Sequence, residues 1–501
     1  MRKVILKSIL FFLFFFSCSK KEIVKLPITT SSEKALEYYK KAMSSLEVGD
    51  DFEKRIFLDS ALSLDSEFIM ALELYDSPDP ILTKKNQDLA RKFSINGTEA
   101  ERKVLCIRES YRNGDMNNAL KCATWLIKNH PLSYESYVWL GLVQSDRNEL
   151  DSAIQTLKKA TKLNPNSYGA FSLLMGHHIA AGNQVMLPEN ERDVELGMKY
   201  GDELIRIRSD HGLPYHLKAN CYRQLGEFEK AKPLYEKSIE KRKGTSSEGN
   251  AYNVSAHNYM FSGDIETARK RYLKAIELSK NNPNTWFVLN YYLTVSYMFE
   301  NDYLGAIDNI SKIGEQLDVM GFDEASLLFR KGQINWQKMV CYAHNQMEEE
   351  AFSSLEKQIF YNKKRADLLR DENVYRNTKA NEQNLKAWLN ILFGKYEEAK
   401  KNLEKLKELQ EQVKDPTAMY GYYGLLGMAN LMEGNYEMAV SNFKKADNTN
   451  IYFNYFKGLA LKASGNENDA MEMFKELASY NFSSWDIAII RNLAKKQLQK
   501  V

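Results

Sequence analysis

Proline is scarce in this sequence, with ten residues among 501. Because proline interrupts helices, its scarcity leaves room for long ones. An excess of charge is also missing: 69 lysine and arginine residues face 66 aspartate and glutamate residues, and the basic residues form no cluster or stripe. Binding to a phosphate backbone needs such a basic footprint, so the composition argues against nucleic acid as a partner.

Cysteine and long apolar runs are scarce too. Five cysteines occur, and beyond the N-terminal region no segment is apolar enough to cross a membrane. Cys106, Cys122, Cys221 and Cys341 have a spacing unlike that of a disulfide framework. We expect buried free thiols in a chain of this size, with a Cys106–Cys122 bridge inside one helical hairpin as the alternative.

Motifs of the common enzyme classes are missing as well. The sequence has no glycine-rich phosphate loop ending in Lys-Ser or Lys-Thr, no His-Glu-x-x-His, no Gly-x-Ser-x-Gly and no Cys-x-x-Cys. We therefore predict neither an enzyme nor a bound cofactor. His177, His178 and His216 make a metal site conceivable, but adjacent residues on a helix point about 100° apart, so no metal is expected either.

The N-terminal region is typical of a targeting segment. Basic residues precede an eight-residue apolar run at 9–16, which is too short to span a bilayer, and Ser17 then precedes Cys18. A small residue directly before a cysteine at this place resembles the lipobox of bacterial lipoproteins, although Phe15 stands where that family usually has leucine.

This resemblance implies that Cys18 is acylated and becomes the mature N-terminus; an ordinary secretory signal is the alternative. We predict a signal peptide at residues 1–17 and a flexible tether at 18–32. The protein would be lipid-anchored in the bacterial cell envelope, on the periplasmic or surface side of the outer membrane. Removing residues 1–17 takes away three cations and no anion, which leaves 66 charges of each sign.

Self-similarity at a period near 34 residues predicts the fold. The clearest copy contains, in order, Tyr137, Leu140, Gly141, Ala153, Leu157, Ala160 and Pro165. The first three lie at helical spacing and share one face of a helix. Gly141 permits close approach of a second helix near Ala153, and Pro165 helps to end that helix.

The same frame recurs along the chain around one small residue in each second helix. These residues are Ala61, Ala119, Ala153, Gly197, Ala231, Ala268, Ala306, Ala351, Ala399, Ala439 and Ala470. Wider spacings before Ala351 and Ala399 predict longer helices or loops. We predict a degenerate first repeat at residues 33–76, a helix-breaking turn around Pro78, and an array of about ten helix pairs at 81–501.

The pattern resembles the tetratricopeptide repeat (TPR) family. The resemblance implies an all-α solenoid, a right-handed superhelix of antiparallel helix pairs whose first helices line a concave groove. TPR arrays are usually interaction modules, and stacked repeats leave such a surface uncovered. We therefore predict a non-catalytic, membrane-anchored scaffold that binds a protein or peptide.

Positions that face inward in such repeats form the predicted binding groove. They are His216, Asn220, Arg223, Asn253, His257, Tyr291, Trp336, Asn384 and Trp388. The alternative is that about half of them are partly buried packing residues. They do not reproduce the cations with which some TPR domains hold a C-terminal carboxylate, so recognition of that kind is not expected.

A second hypothesis rests on a resemblance to SusD-like nutrient-uptake lipoproteins, which are helical, contain TPRs and are about this long. It would make the protein a glycan-binding lipoprotein. That family has few repeats and carries its sugar site on large irregular loops. The repeats here run nearly uninterrupted, which favours a protein or peptide as the ligand.

Overall fold

A computed structural model describes residues 23–77, 79–179, 187–188, 191–415 and 417–499. The protein is 78% helical, and its described residues contain no strand. The predicted all-α class is confirmed. Within these ranges no helix is both long and apolar enough to cross a bilayer. The predicted signal peptide and Cys18 lie outside the described residues, as does most of a predicted insertion at 184–191.

Twenty-five α-helices follow one another along the described ranges. The first twelve are α1 (Glu33–Glu47), α2 (Asp51–Leu64), α3 (Ile69–Leu74), α4 (Pro80–Phe93), α5 (Glu99–Asn113), α6 (Met116–Asn129), α7 (Tyr134–Asp146), α8 (Leu150–Leu163), α9 (Tyr168–His178), α10 (Val194–Ile207), α11 (Leu213–Gln224) and α12 (Phe228–Arg242). The others are α13 (Glu248–Ser262), α14 (Ile265–Leu278), α15 (Pro283–Phe299), α16 (Tyr303–Gln316), α17 (Glu324–His344), α18 (Glu348–Leu369), α19 (Glu372–Leu392), α20 (Tyr396–Gln410), α21 (Tyr420–Met432), α22 (Tyr436–Phe443), α23 (Ile451–Ala463), α24 (Glu467–Ser479) and α25 (Trp485–Leu498).

Consecutive helices pack in pairs, and small residues let the two helices of a pair approach closely. A Cβ atom on Gly141 of α7 would lie 2.6 Å from Leu157 of α8, and one on Gly458 would lie 2.7 Å from Phe474. Every alanine predicted to anchor a second helix is fully buried. The spacing of small and large residues therefore identified the helix pairs, because small residues lie where the two helices of a pair cross.

Short turns join the two helices of each pair. Glycines in these turns have φ angles between 68° and 93°, a left-handed region that is energetically unfavourable for a residue with a Cβ atom; they are Gly49, Gly114, Gly226, Gly263, Gly394, Gly434 and Gly465. The widest predicted spacings are explained by longer helices, since α17, α18 and α19 have 21, 22 and 21 residues.

One pair was not predicted as a repeat. The six-residue α3 packs against α4 between the first repeat and the array that begins at α5. The predicted helix-breaking turn falls between them: α4 begins at Pro80, and the Asp79 carboxylate accepts a hydrogen bond of 2.8 Å from the Ile81 N–H. A helix as short as α3 carries too few apolar positions to show a repeat frame.

The second half of the predicted flexible tether instead packs against α5 and α7. The Leu26 N–H donates to Glu135 Oε2 at 2.7 Å, and the Thr29 N–H donates to Glu101 Oε1 at 2.8 Å. Leu26 is buried. The expectation of flexibility failed for residues 25–31 because carboxylates far along the chain bind their main chain.

The expectation of free thiols is wrong for one pair of cysteines. Cys106 of α5 and Cys122 of α6 form a disulfide with their Cα atoms 6.3 Å apart, inside one helical hairpin. Cys221 and Cys341 are free and buried. Burial raises the pKa of each of these two thiols to about 12, which keeps them protonated and unreactive at neutral pH.

The array curves so far that distant repeats touch. Lys84 Nζ lies 3.1 Å from Asp371 Oδ2, and Arg192 Nη2 lies 3.5 Å from Glu476 Oε1. The two contacts join residues 287 and 284 positions apart. Nearly equal separations are expected where successive turns of one superhelix meet.

Candidate functional site

The last described helix, α25, is buried on all sides over residues 487–491. Ile487, Ala488, Ile489 and Ile490 are at most 2% exposed, and Arg491 is 9% exposed. Successive residues point about 100° apart, so five consecutive buried residues cover the whole circumference of the helix. A helix that caps the end of an array exposes one face. Helix α25 instead lies inside the curve, against α15, α23 and α24.

The linker before α25, residues 480–484, is held as a bound peptide would be. The Asn481 N–H donates to Gln224 Oε1 at 3.0 Å, and the Asn481 carbonyl accepts from Arg223 Nε at 2.9 Å. Its Nδ2 group also donates to the Arg223 carbonyl at 3.1 Å. We call residues 480–498 the C-terminal segment, and the inward surface of α11, α13, α15 and α17 the channel.

Arg223 is fixed by a buried polar network. It is 1% exposed, and its Nη1 donates to the Tyr235 hydroxyl at 2.8 Å, which in turn donates to Asn220 Oδ1 at 2.7 Å. Within the C-terminal segment itself, Arg491 Nη2 donates to Asn481 Oδ1 at 3.0 Å. Asn481 is therefore bound by one arginine of the channel and one of its own segment, and the bond to Arg223 sets its position in the channel.

Aromatic side chains hold the start of α25. The Trp485 N–H donates to the Tyr291 hydroxyl at 3.1 Å. The Trp485 ring packs edge to face on Trp336, with centroids 5.5 Å apart, and lies 5.3 Å from the Tyr452 ring. Such aromatic contacts combine a large buried area with a defined geometry.

The histidines at and near the channel are neutral at physiological pH. Burial lowers the pKa of His216 and His257 well below its usual range, and it lowers the pKa of His344 to about 4. The His257 Nδ1 atom lies 2.6 Å from the Tyr272 hydroxyl. Apart from its arginines, the channel therefore offers neutral hydrogen-bonding groups and aromatic rings.

An open cavity of about 570 Å³ adjoins the start of the C-terminal segment. Aromatic and polar side chains line it, including Tyr480, Phe482, Trp485, Asn450, Asn454 and Asp486. Burial raises the pKa of the Asp486 carboxyl group. The cavity gives solvent access to the linker and to the first turn of α25.

The repeat geometry has counterparts in known sequences. Residues 107–168 match a family model described as tetratricopeptide repeat, and residues 214–240 and 249–282 match a second model of the same description. These ranges fall on helix pairs between α5 and α14. The chain therefore contains tetratricopeptide repeats over these ranges.

Individual proteins of known sequence or structure are only distantly similar to this chain. No protein of curated function matches the sequence. Among solved structures, a tetratricopeptide repeat protein from Parabacteroides merdae is 14% identical, covering 56% of this chain and 97% of its own with a TM-score of 0.33. TPR repeats generally mediate protein–protein interaction in non-catalytic scaffolds.

The predicted groove positions belong to a covered surface. Six are buried and three are half-buried; the buried ones are His216, Asn220, Arg223, Asn253, His257 and Trp388, and the others are Tyr291, Trp336 and Asn384. The open groove expected of TPR repeats is therefore not present along α11–α17, because the C-terminal segment fills it. The role of these residues in binding a partner stays a prediction.

Only some of the nine residues contact the C-terminal segment. Arg223, Tyr291 and Trp336 do so directly. Trp388 packs on Tyr452, which itself contacts Trp485. Asn384 packs beside α21: a Cβ atom added to Gly421 of that helix would lie 3.3 Å from Asn384 Nδ2. The structure therefore separates Asn384 from the rest of the predicted site.

The adjacent histidines of α9 have hydrogen-bond partners within the fold. His177 Nε2 lies 2.9 Å from Ser145 Oγ, and His178 Nδ1 accepts from the Asp193 N–H at 3.2 Å. Among the residues that the structure describes, no group of three histidine, cysteine, aspartate or glutamate side chains is arranged to hold a metal ion.

Sequence reasoning missed Asn481 and Trp485, because neither occupies a repeat position. A signal was present in α25, where residues 487–490 are all apolar. A helix that packs on one side only alternates apolar and polar faces, whereas four consecutive apolar residues indicate burial all round.

Proposed function

We propose that the protein is a lipid-anchored scaffold of the bacterial cell envelope. In this proposal it binds an extended segment of a partner protein in the channel, where its own C-terminal segment now lies. The observation that carries the proposal is the linker at 480–484, which α11 holds through main-chain hydrogen bonds. Such bonds do not depend on the side chains of the bound segment, so a second chain could form them too.

The polar groups of the channel support a model in which a segment of a partner protein replaces the C-terminal segment. Two buried polar atoms there, Asn253 Oδ1 and Gln224 Nε2, have no hydrogen-bond partner among the described residues. Each such atom costs about 1–3 kcal/mol when it is desolvated without a partner. The C-terminal segment is therefore bound less tightly than its buried apolar area suggests, and the cavity beside Trp485 gives a competitor a place to begin.

Binding in the channel is tested by loosening the segment. Asn481→Ala removes the side-chain hydrogen bonds to Arg223 and Arg491, which together are worth about 1–3 kcal/mol. We expect the full-length variant to capture the same crosslinked partner from membranes roughly tenfold more strongly than wild type. A synthetic peptide of residues 480–498 should compete with that partner.

Asn129→Ala is the matched control, because Asn129 is exposed on α6 and its amide bonds only to Trp125 of the same helix. It should capture as wild type does. Equal capture by wild type and the Asn481 variant, with no competition by the peptide, would place the partner outside the channel.

The anchor is tested separately. Cys18→Ala should move the protein from the membrane fraction to the soluble fraction, because the acylated residue is lost while the repeats keep their packing. Membrane fractionation measures this, and circular dichroism should show unchanged helix content. If the variant stays with the membranes, the lipid is not the anchor, whatever the result for the channel.

A further inference from the structure

Arg242, the last residue of α12, is a buried cation with no ion pair among the described residues. It is 2% exposed, and its Nε and Nη1 atoms have no hydrogen-bond partner in the described parts of the chain. Burial lowers the pKa of its guanidinium group to about 10, an effect that the charge of Asp50 offsets only in part. Buried charges in proteins are normally paired, because desolvation without a counter-charge is expensive.

Three other buried polar atoms near Arg242 are without partners as well. They are the Tyr168 hydroxyl at the start of α9, the Ser238 hydroxyl one turn before Arg242, and His216 Nδ1 on α11. The charge of Arg242 acts on both Tyr168 and His216. A Cβ atom on Gly212, the N-cap of α11, would lie 3.0 Å from Arg242 Nε, so the start of α11 packs directly on the guanidinium group.

No ion pair joins a carboxylate to Arg242 in the described parts of the chain. Asp50 caps α2 and accepts from the Glu53 N–H at 3.0 Å. Asp210 accepts from Arg208 Nε at 3.2 Å. The guanidinium group of Arg242 therefore keeps hydrogen-bond donors that no carboxylate of the described residues accepts.

We propose that Arg242, with the hydroxyl groups of Tyr168 and Ser238 and the imidazole of His216, forms a binding site for one small oxyanion. A guanidinium fork matches the two oxygens of a carboxylate or of a phosphate. The site takes one such group and supplies the charge that Arg242 lacks. The residues that bind the C-terminal segment are different ones, Arg223, Gln224, Tyr291 and Trp336, so the oxyanion site does not depend on partner binding in the channel.

The test is thermal unfolding of the full-length protein in sodium acetate, sodium phosphate and sodium chloride at equal ionic strength. A ligand that binds only the folded state raises the melting temperature in a saturable way. We expect acetate or phosphate to raise it by at least about 2 °C over chloride. A response to acetate alone identifies a carboxylate as the ligand, and a response to phosphate identifies an inorganic oxyanion.

Three variants make the result specific. Arg242→Met should abolish the shift, and Tyr168→Phe, which removes one hydroxyl group, should reduce it by at least half. Arg91→Met should keep it, because Arg91 is exposed on α4 and pairs with Asp88 and Glu109. The proposal is overturned if wild type melts at one temperature in all three salts, or if the shift persists in Arg242→Met. Should Arg242→Met fail to fold, an undiminished shift in Tyr168→Phe overturns it.

Discussion

Replacing Ile490 by aspartate should drive α25 out of the channel while the repeats before it stay folded. Ile490 is fully buried at the centre of α25. A carboxylate there would be desolvated without a partner, which costs more than undocking the helix. The stability of each repeat depends mainly on contacts with its neighbours, so the loss of structure should stay confined to α25 and the linker before it. We expect the docking of α25 to lose at least about 4 kcal/mol.

Limited proteolysis followed by mass spectrometry measures this release. The variant should be cleaved within residues 480–484, and its amides from 485 onward should exchange hydrogen rapidly. Lys496→Asp is the control, because Lys496 is exposed on the same helix and its substitution introduces the same carboxylate. If the Ile490 variant instead melts as a whole without selective cleavage, α25 is part of the core and exchange with a partner is ruled out.

Arg223→Ala should have the next largest effect. Arg223 Nε and Nη1 bind the Asn481 carbonyl and the Tyr235 hydroxyl, and hydrogen bonds from a charged group contribute about 1.5–3 kcal/mol each. Alanine would leave the Asn481 carbonyl without a donor in a buried place. We expect a loss of roughly 3 kcal/mol in unfolding free energy, measured by denaturant titration.

A double-mutant cycle with Ile490→Asp identifies the cause of that loss. The Arg223 side chain binds the main-chain carbonyl of Asn481, so the second substitution must release the whole segment. If Arg223 acts by holding the linker, Arg223→Ala and Ile490→Asp together should cost less than the sum of their separate effects by at least about 0.5 kcal/mol. Arg91→Ala, at an exposed position of α4, should change stability by no more than about 0.5 kcal/mol. Additive effects of the Arg223 and Ile490 substitutions would show that the arginine stabilises α11 and α12 only.

The helix pairs could be predicted because their signals are local. Gly141 and Leu157 are sixteen residues apart and touch in the structure, and the turn glycines between paired helices have the positive φ angles that their position requires. A spacing of this length is visible in one window of sequence. The α3–α4 pair could not be predicted because α3 is too short to show the repeat pattern. The packing of residues 25–31 could not be predicted because it depends on Glu101 and Glu135, which lie far along the chain.

The candidate site was predicted only in part, for the same reason. The resemblance to tetratricopeptide repeats placed Arg223, Tyr291 and Trp336 on the inward side of their repeats, and each contacts the C-terminal segment. That resemblance could not show what would cover them. Asn481 lies 258 residues from Arg223, and no local pattern connects two such positions.

The sequence by itself determined that the chain is a series of helix pairs, where each pair turns, and which side of each first helix faces inward. Those properties follow from the 3.6-residue period and from the sizes of neighbouring side chains. Only the tertiary structure decided that the array curls until α24 meets residue 192, that α25 fills the channel, and that Arg242 is left without a carboxylate. Curvature is the sum of small rotations between many repeats, so contacts between distant repeats depend on the whole array.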